Sequence, residues 1–266
     1  MPALEYLSAI RFSDADAGDY LQNQLSADVL ALATGESTFA CYCEPKGRVL
    51  ALMLVCRLED AFLVILSGEL AQSVADRMKI YVMRSKVNIE ILNGHAVVGN
   101  ASPEPDAALA TIPIPGSESF FVLLQHELAG DSDEAEQMAW KASELQRGVT
   151  WLSTASSGEF IPQMLGFEQI GAVNFRKGCY PGQEIVARTH YLGKVKRHPR
   201  VLKLEPVPCP APLEKLQLLS DAQPHNAIVV DCAQTPGQTC LFVVTRLAPE
   251  ASVENVMHHD QVLSLH

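Results

Sequence analysis

Apolar and polar positions alternate along this chain in two rhythms, and the places where one gives way to the other mark its elements. Tyr20, Leu21 and Leu25 recur at helical spacing behind Ser13 and Asp14, either of which can cap a helix reaching Leu25, with Asp16 near the positive end of its dipole. Segments 37–43, 49–57 and 62–67 follow, rich in apolar or β-branched side chains and separated by the turn formers Glu44-Pro45-Lys46-Gly47 and Glu59-Asp60, which predicts antiparallel neighbours. Leu70, Val74, Met78 and Tyr81 or Val82 return to helical spacing, and residues 86–91 alternate as a strand leading into 95–99. The Pro-rich stretch 102–116 reads as a surface connection, 120–124 as a strand, and Asp131 or Ser132 as the cap of a helix running to Arg147. Beyond Arg200 short apolar runs at 201–204, 216–219, 227–230 and 240–247 alternate with Pro, Gly and Asp breakers, the signature of a small β-barrel or sandwich, with the Pro-dense 206–212 as a rigid loop inside it. The fold class is therefore α+β, without internal repeats.

Composition narrows this picture. A chain of 266 residues is expected to divide into two or three modest domains, and 48% apolar with 19% charged residues excludes a disordered chain. The longest apolar run, 49–56, is too short to span a bilayer, and the opening Met1-Pro2-Ala3-Leu4-Glu5-Tyr6 lacks a signal pattern, so a cytoplasmic protein without a membrane partner is expected. Seven cysteines at irregular spacing argue against a disulfide framework and for reduced thiols. The net charge of −11 disfavours nonspecific binding to polyanions. It is unevenly spread: residues 176–200 hold seven basic residues (Arg176, Lys177, Arg188, Lys194, Lys196, Arg197, Arg200) against Glu184, a local +6 on a remainder of −17. Such an island suits an anionic ligand or partner, or simply a solvated strand and loop.

The chemistry concentrates at Cys179. It sits in Lys177-Gly178-Cys179-Tyr180-Pro181-Gly182-Gln183-Glu184, where Tyr-Pro-Gly forces a tight turn and residues 183–190 have helical composition. A thiol near a helix N-terminus, with Arg176 and Lys177 beside it, is favoured as the reactive thiolate; a small buried cysteine in a Gly-rich turn is the competing reading. Cys41-x-Cys43 with Cys179 lacks a metal-ligand spacing, so no stable metal is expected, and His258-His259 reads as a solvated turn. Gly-x-Ser-x-Gly, Walker and Gly-x-Gly-x-x-Gly patterns are absent.

The run Gly158-Glu-Phe-Ile-Pro-Gln163, followed by 171–188 with Cys179 at its centre, strongly resembles the signature of the YgfZ proteins of the glycine-cleavage T-protein superfamily. Asp19-Tyr-Leu-Gln-Asn-Gln-Leu-Ser-Ala-Asp-Val29 is similar to that family's first helix, and Cys43-Glu-Pro-Lys-Gly-Arg48 to its first hairpin turn. The resemblance implies a three-lobed ring: a discontinuous folate-binding lobe of residues 1–45 with 131–192, a second α+β lobe of 46–130 and a C-terminal β-barrel of 193–266. It implies a tetrahydrofolate-binding accessory protein for iron–sulfur enzymes, notably tRNA methylthiotransferases, with Cys179 as the reactive thiol and Lys177, Tyr180, Gln183, Glu184 and Arg188 as its supporting motif.

Trp140 bears on the folate expectation. Ala135, Met138, Ala139, Ala142 and Leu145 mark one stripe of its helix, and at about 100° per residue Trp140 projects away from them among Glu136, Ser143, Glu144 and Arg147. That suits stacking on a pterin, an interface anchor, or packing under another lobe; in the family a Trp at this place lines the folate site. Relatives also carry Glu where Gln146 stands before Gly148, and a second pterin-facing Trp where Leu7 stands, which implies weaker or differently posed folate binding. Two other functions compete. A one-carbon transferase needs a positioned acid or base, and residues 49–66 offer only the turn pair Glu59-Asp60. A non-enzymatic scaffold would dock through the basic island, with direct tRNA binding left open.

Overall fold

A computed structural model describes residues 2–100, 108–129, 133–221, 223–259 and 261–266. Strands β1 (Leu7–Ser13), β2 (Ser37–Cys43), β3 (Val49–Arg57), β4 (Ala61–Ser67) and β5 (Asn88–Ile91) form one sheet in the order β2-β3-β4-β1-β5. Strand β1 has no counterpart in the hydrophobic pattern, because Ser13 and Asp14 read as helix caps. In fact Ser13 ends the strand, Asp14 takes a left-handed turn (φ 77°), and α1 (Ala17–Gln24) begins three residues later. Asp16 stands at its N-cap without capping it, its carboxylate accepting instead from the Lys86 N–H at 2.6 Å.

Every residue of β4 is buried, which explains its unbroken Ala-Phe-Leu-Val-Ile-Leu run. Helices α1 and α2 (Gly68–Ile80) pack on this sheet. Elsewhere in the same core Phe39 of β2 meets Trp151 at 6.3 Å, and Trp151 meets Phe121 of a second, three-stranded sheet at 6.3 Å. That sheet comprises β6 (His95–Asn100), β7 (Ala110–Pro113) and β8 (Phe120–Gln125) in the order β6-β8-β7. Strand β7 thus lies inside the stretch expected to be a plain surface connection, part of which falls outside the described residues.

Helix α3 (Glu134–Gln146) is capped by Asp133, whose carboxylate accepts from the Ala135 N–H at 2.9 Å; the caps expected from sequence, Asp131 and Ser132, lie outside the described residues. Its expected apolar stripe needs correcting. Ala135 and Ala139 are exposed, whereas Gln137, Ala142, Glu144 and Leu145 are buried. The helix is wedged between sheets, with β6 and β8 on the Trp140 side and β11 (Gln223–Gln234) and β12 (Thr239–Thr245) on the other, so that its polar residues Gln137, Lys141 and Glu144 face protein.

After α4 (Gln183–Leu192), the C-terminal third forms a six-stranded sheet of β9 (His198–Leu204), β10 (Lys215–Ser220), β11, β12, β13 (Asn255–His258) and β14 (Gln261–Leu263), in the order β14-β13-β10-β11-β12-β9. Its outer edges meet at a single Leu204–Leu265 bridge and two flanking hydrogen bonds, and no longer ladder closes it among the described residues. Strand β12 serves two cores by alternation: Cys240, Phe242 and Val244 join the main core, while Leu241 and Val243 face the sheet's own.

Cys209 and Cys232 form a disulfide with Cα atoms 5.8 Å apart, correcting the expectation of reduced thiols throughout. The pairing depends on the Pro-rich loop folding back onto β11, which spacing alone does not reveal. No helix among the described residues is long and apolar enough to cross a membrane.

Candidate functional site

The two glycine-bearing turns of the sequence face each other. In the β2–β3 turn the Gly47 N–H donates to the Glu44 carbonyl at 2.8 Å, and Gly47 has φ 74°; Gly182, the N-cap of α4, has φ 84°. A Cβ on Gly182 would lie 2.5 Å from the Glu44 carbonyl oxygen and 2.7 Å from Gly47 Cα, while one on Gly47 would lie 2.9 Å from Ile185 Cβ. Both positions therefore require glycine twice over, for conformation and for room.

The loop from Gly171 to Gly182 is tied down on its inner side. Buried Ser26 donates through Oγ to the Ala172 carbonyl at 2.5 Å and accepts there from the Cys41 N–H at 2.7 Å, while its own carbonyl accepts from the Asn174 N–H at 2.9 Å. The Lys177 ammonium, expected beside the thiol as a free cation, is buried and donates to the Gln22 and Leu25 carbonyls at the C-terminus of α1, the latter at 2.6 Å. That is where a helix's unsatisfied carbonyls and negative dipole end favour a cation. Burial pulls its pKa down to about 8, against the neighbouring Asp28 and Cys179, which hold it up.

Tyr180 is buried with the Lys177 ammonium 5.3 Å from its ring, and burial, followed by the nearby Cys43 and Cys41, pushes its hydroxyl up. Between these buried anchors Cys179 is exposed, the one free cysteine among the described residues that is; Cys41, Cys43, Cys56 and Cys240 are buried. The buried-cysteine reading of Cys179 is thereby removed. Gln183 is half-buried, Glu184 and Arg188 are exposed on α4, and the helix is held from below by Gln163, whose amide donates to the Val186 carbonyl at 3.0 Å and to Glu168 at 2.6 Å.

The basic island shrinks on inspection. Lys177 is buried in its carbonyl basket and the Arg200 guanidinium donates to the Ala248 and Pro249 carbonyls at 2.7 and 3.1 Å. Arg176, Arg188, Lys194 and Lys196 stay exposed, with Tyr191 and Leu192 as exposed apolar neighbours on α4.

Trp140 is half-buried, not free among polar groups. Its indole lies against Gly99, where an added Cβ would sit 2.7 Å from the ring, and 6.1 Å from the Phe121 ring. Gln146 opens instead onto a separate cleft of about 280 Å³ with Arg147, Ile170, Pro199 and Phe242. What the sequence concealed is Glu144, placed on the helix's polar side yet only 1% exposed. It accepts from the Tyr6 hydroxyl at 2.8 Å. The Trp151 and Trp140 N–H groups lie close enough to favour its charged form but outside hydrogen-bond geometry, leaving both N–H groups buried without a partner. Burial outweighs these neighbours and pushes the Glu144 carboxyl up to about 7. Beside it Lys141 pairs with buried Asp231 at 2.7 Å, in a cleft of about 280 Å³ shared with Tyr6, Trp151 and the Cys209–Cys232 disulfide. Only i to i+4 spacing from Trp140 could have pointed to Glu144.

No protein-family model matches the chain. An uncharacterized protein of Haemophilus influenzae is 31% identical over 205 residues, covering 76% of this chain and 73% of that protein. The tRNA-modifying protein YgfZ of Shigella sonnei is 29% identical over 212 residues, 69% of this chain and 65% of its own length. The chain belongs to the YgfZ family. Its fold is that of the glycine cleavage system aminomethyltransferase T from Bartonella henselae, with a TM-score of 0.72 at 14% identity over 99% of this chain and 83% of that one. In this YgfZ protein three of the segments of family resemblance, at 43–48, 158–163 and 171–188, meet around Gly47 and Gly182: the Gly158 N–H donates to the Val49 carbonyl and the Val49 N–H to that of Phe160, each at 2.8 Å.

Two substitutions test this geometry. Gly182→Ala is expected to cost about 2–4 kcal/mol, the sum of a left-handed backbone and a forced backbone clash, read as a lowered urea midpoint. Because Glu144's folded pKa lies above its unfolded value, its contribution to stability is full below the ordinary carboxylate pKa and is lost as pH rises through about 7. Glu144→Gln, which keeps the shape, should remove that slope and stabilise the protein at pH 8 by on the order of 3 kcal/mol, measured as urea unfolding at pH 5 and pH 8.

Proposed function

We propose that this chain is a tetrahydrofolate-binding accessory protein that supports tRNA modification by iron–sulfur enzymes of the methylthiotransferase kind, with Cys179 as its working thiol. The observation that carries the reading is the exposure of that one free thiol on a loop whose flanking residues are immobilised. The name of the Shigella sonnei relative, a tRNA-modifying protein, points the same way. In this reading the three segments 1–45 with 131–192, 46–130 and 193–266 act as lobes of a ring, although a cut at 45/46 passes between paired strands β2 and β3. The working compartment is the cytoplasm.

The residues present fit a folate in part. Buried N–H groups of Trp140 and Trp151 without partners, beside a carboxyl that titrates near neutrality, match the mixed donors and acceptors of a pterin's edge. Gln146 faces elsewhere and does not fit. Trp140, Trp151 and Glu144 are therefore the residues proposed to hold the pterin, and tetrahydrofolate would supply a carrier for one-carbon units. A transferase reading is less well supported: of the turn pair Glu59-Asp60 on the 49–66 segment, Asp60 pairs with Arg11 at 3.1 Å. A docking role for α4 accords with its exposed Tyr191 and Leu192 beside Arg188, Lys194 and Lys196, which suit an acidic, partly apolar client face.

Tetrahydrofolate should quench the intrinsic fluorescence saturably, and Trp140→Phe should weaken binding at least tenfold; absent quenching would remove the folate assignment, and quenching unchanged in the variant would remove Trp140 as its platform. Cys179→Ser, introduced into a strain lacking the native protein, should abolish recovery of 2-methylthio tRNA while leaving folding and folate quenching intact. Full recovery would show that the thiol has no chemical role.

A further inference from the structure

At the far end of the C-terminal sheet, His258 and His259 converge on one oxygen of Glu214, with His258 Nε2 at 2.7 Å and His259 Nε2 at 2.6 Å from Oε1. We propose that these three side chains bind a divalent transition-metal ion of the zinc, nickel or copper class. The site belongs to no part of the Cys179 loop, and it would give the solvated turn at His258-His259 a ligand role.

Consecutive residues of a strand point to opposite faces, so two adjacent histidines should not share a target. Here β13 ends at His258 and His259 takes a left-handed conformation (φ 46°), which swings its ring to the same side; the two ring centroids are 4.1 Å apart. Few non-glycine residues adopt this backbone. Glu214 stands just ahead of β10, the strand that pairs with β13, and is fixed by a second tie, its Oε2 accepting from the Ala211 N–H at 2.8 Å. The carboxylate is thus oriented by the backbone and the imidazoles by a hairpin turn.

The donor set has the right chemistry. One ligand atom from each residue lies within 4.8 Å of the others. Two imidazole nitrogens and one carboxylate oxygen are a ligand set that zinc accepts, leaving a fourth position for water. Glu214 presents Oε1 to both imidazoles while the Ala211 N–H holds its Oε2, so the oxygen that would ligate is the one both rings already face. A tetrahedral ion would need the ligand atoms roughly 3.3 Å apart, a small opening that 75%-exposed His259 can supply by rotating. An ion there would replace the two imidazole N–H donors and clamp the β13–β14 hairpin to the head of β10.

The test uses the full chain carrying Cys179→Ser, which removes the exposed thiol as a rival ligand. Calorimetric titration with zinc should show one saturable equivalent, weakened at least tenfold by Glu214→Gln and by His259→Ala, and unaffected by His225→Ala as a control. The copper(II) paramagnetic resonance spectrum should show coupling to two imidazole nitrogens, falling to one in His259→Ala. No saturable binding, or affinity unchanged in both ligand variants, would overturn the site. Because His259 is a turn residue in solvent, circular dichroism of its variant should match the parent, separating lost ligation from lost folding.

Discussion

Backbone meets backbone where Gly47 touches Gly182, and the arrangement of the thiol loop depends on that contact. Side chains can shift by rotating; a carbonyl 2.5 Å from where a Cβ would stand cannot move without moving its turn. The close approach lets α4 start directly over the β2–β3 hairpin, and the Tyr180-Pro181 step then leads back to Cys179 at the surface. Lys177 and Ser26 complete the restraint from within, one through the end of α1 and the other through β2. Exposure of the thiol therefore results from order around it, with its neighbours drawn inward by specific partners.

Helix α3 has a comparable role for the molecule as a whole. A helix on one sheet can leave half its circumference to water; this one touches β6 and β8 on one side and β11 and β12 on the other. Its interior is accordingly polar: Gln137 accepts from the Glu5 N–H at 3.0 Å, Lys141 meets Asp231, and Glu144 meets Tyr6. Such groups are costly to bury unless matched, and breaking one of them strands its partner. They favour one docking of three sheets over the many that apolar packing alone would permit.

Much of this was legible in the residues. The strands at 37–43 and 49–57 and helix α2 emerged from hydrophobic period and turn chemistry, and the turn at Cys179 from its glycines and proline. What escaped was decided by partners far along the chain. Lys177 reads as a free cation until the carbonyl of Gln22, 155 residues away, is in place. Glu144 reads as surface because helical period reports one buried face and α3 has two. Strand β1 was hidden by Ser13 and Asp14, whose capping chemistry serves equally well to end a strand. The final hairpin, β13 and β14, was too short to show alternation, so the two histidines at its tip looked incidental.

The placement of β1 also bears on how the chain comes off the ribosome. This strand, at residues 7–13, lies between β4 and β5, so its two hydrogen-bonding edges are filled by residues 61–67 and 88–91. At roughly 5–20 residues per second, translation leaves it without a complete set of neighbours for about 4–16 s. The tether from Lys177 to α1 must wait for about as much chain again. A nascent polypeptide of this kind spends its early life with an apolar edge open, and its need for chaperone cover is set by the order of its strands more than by its final stability.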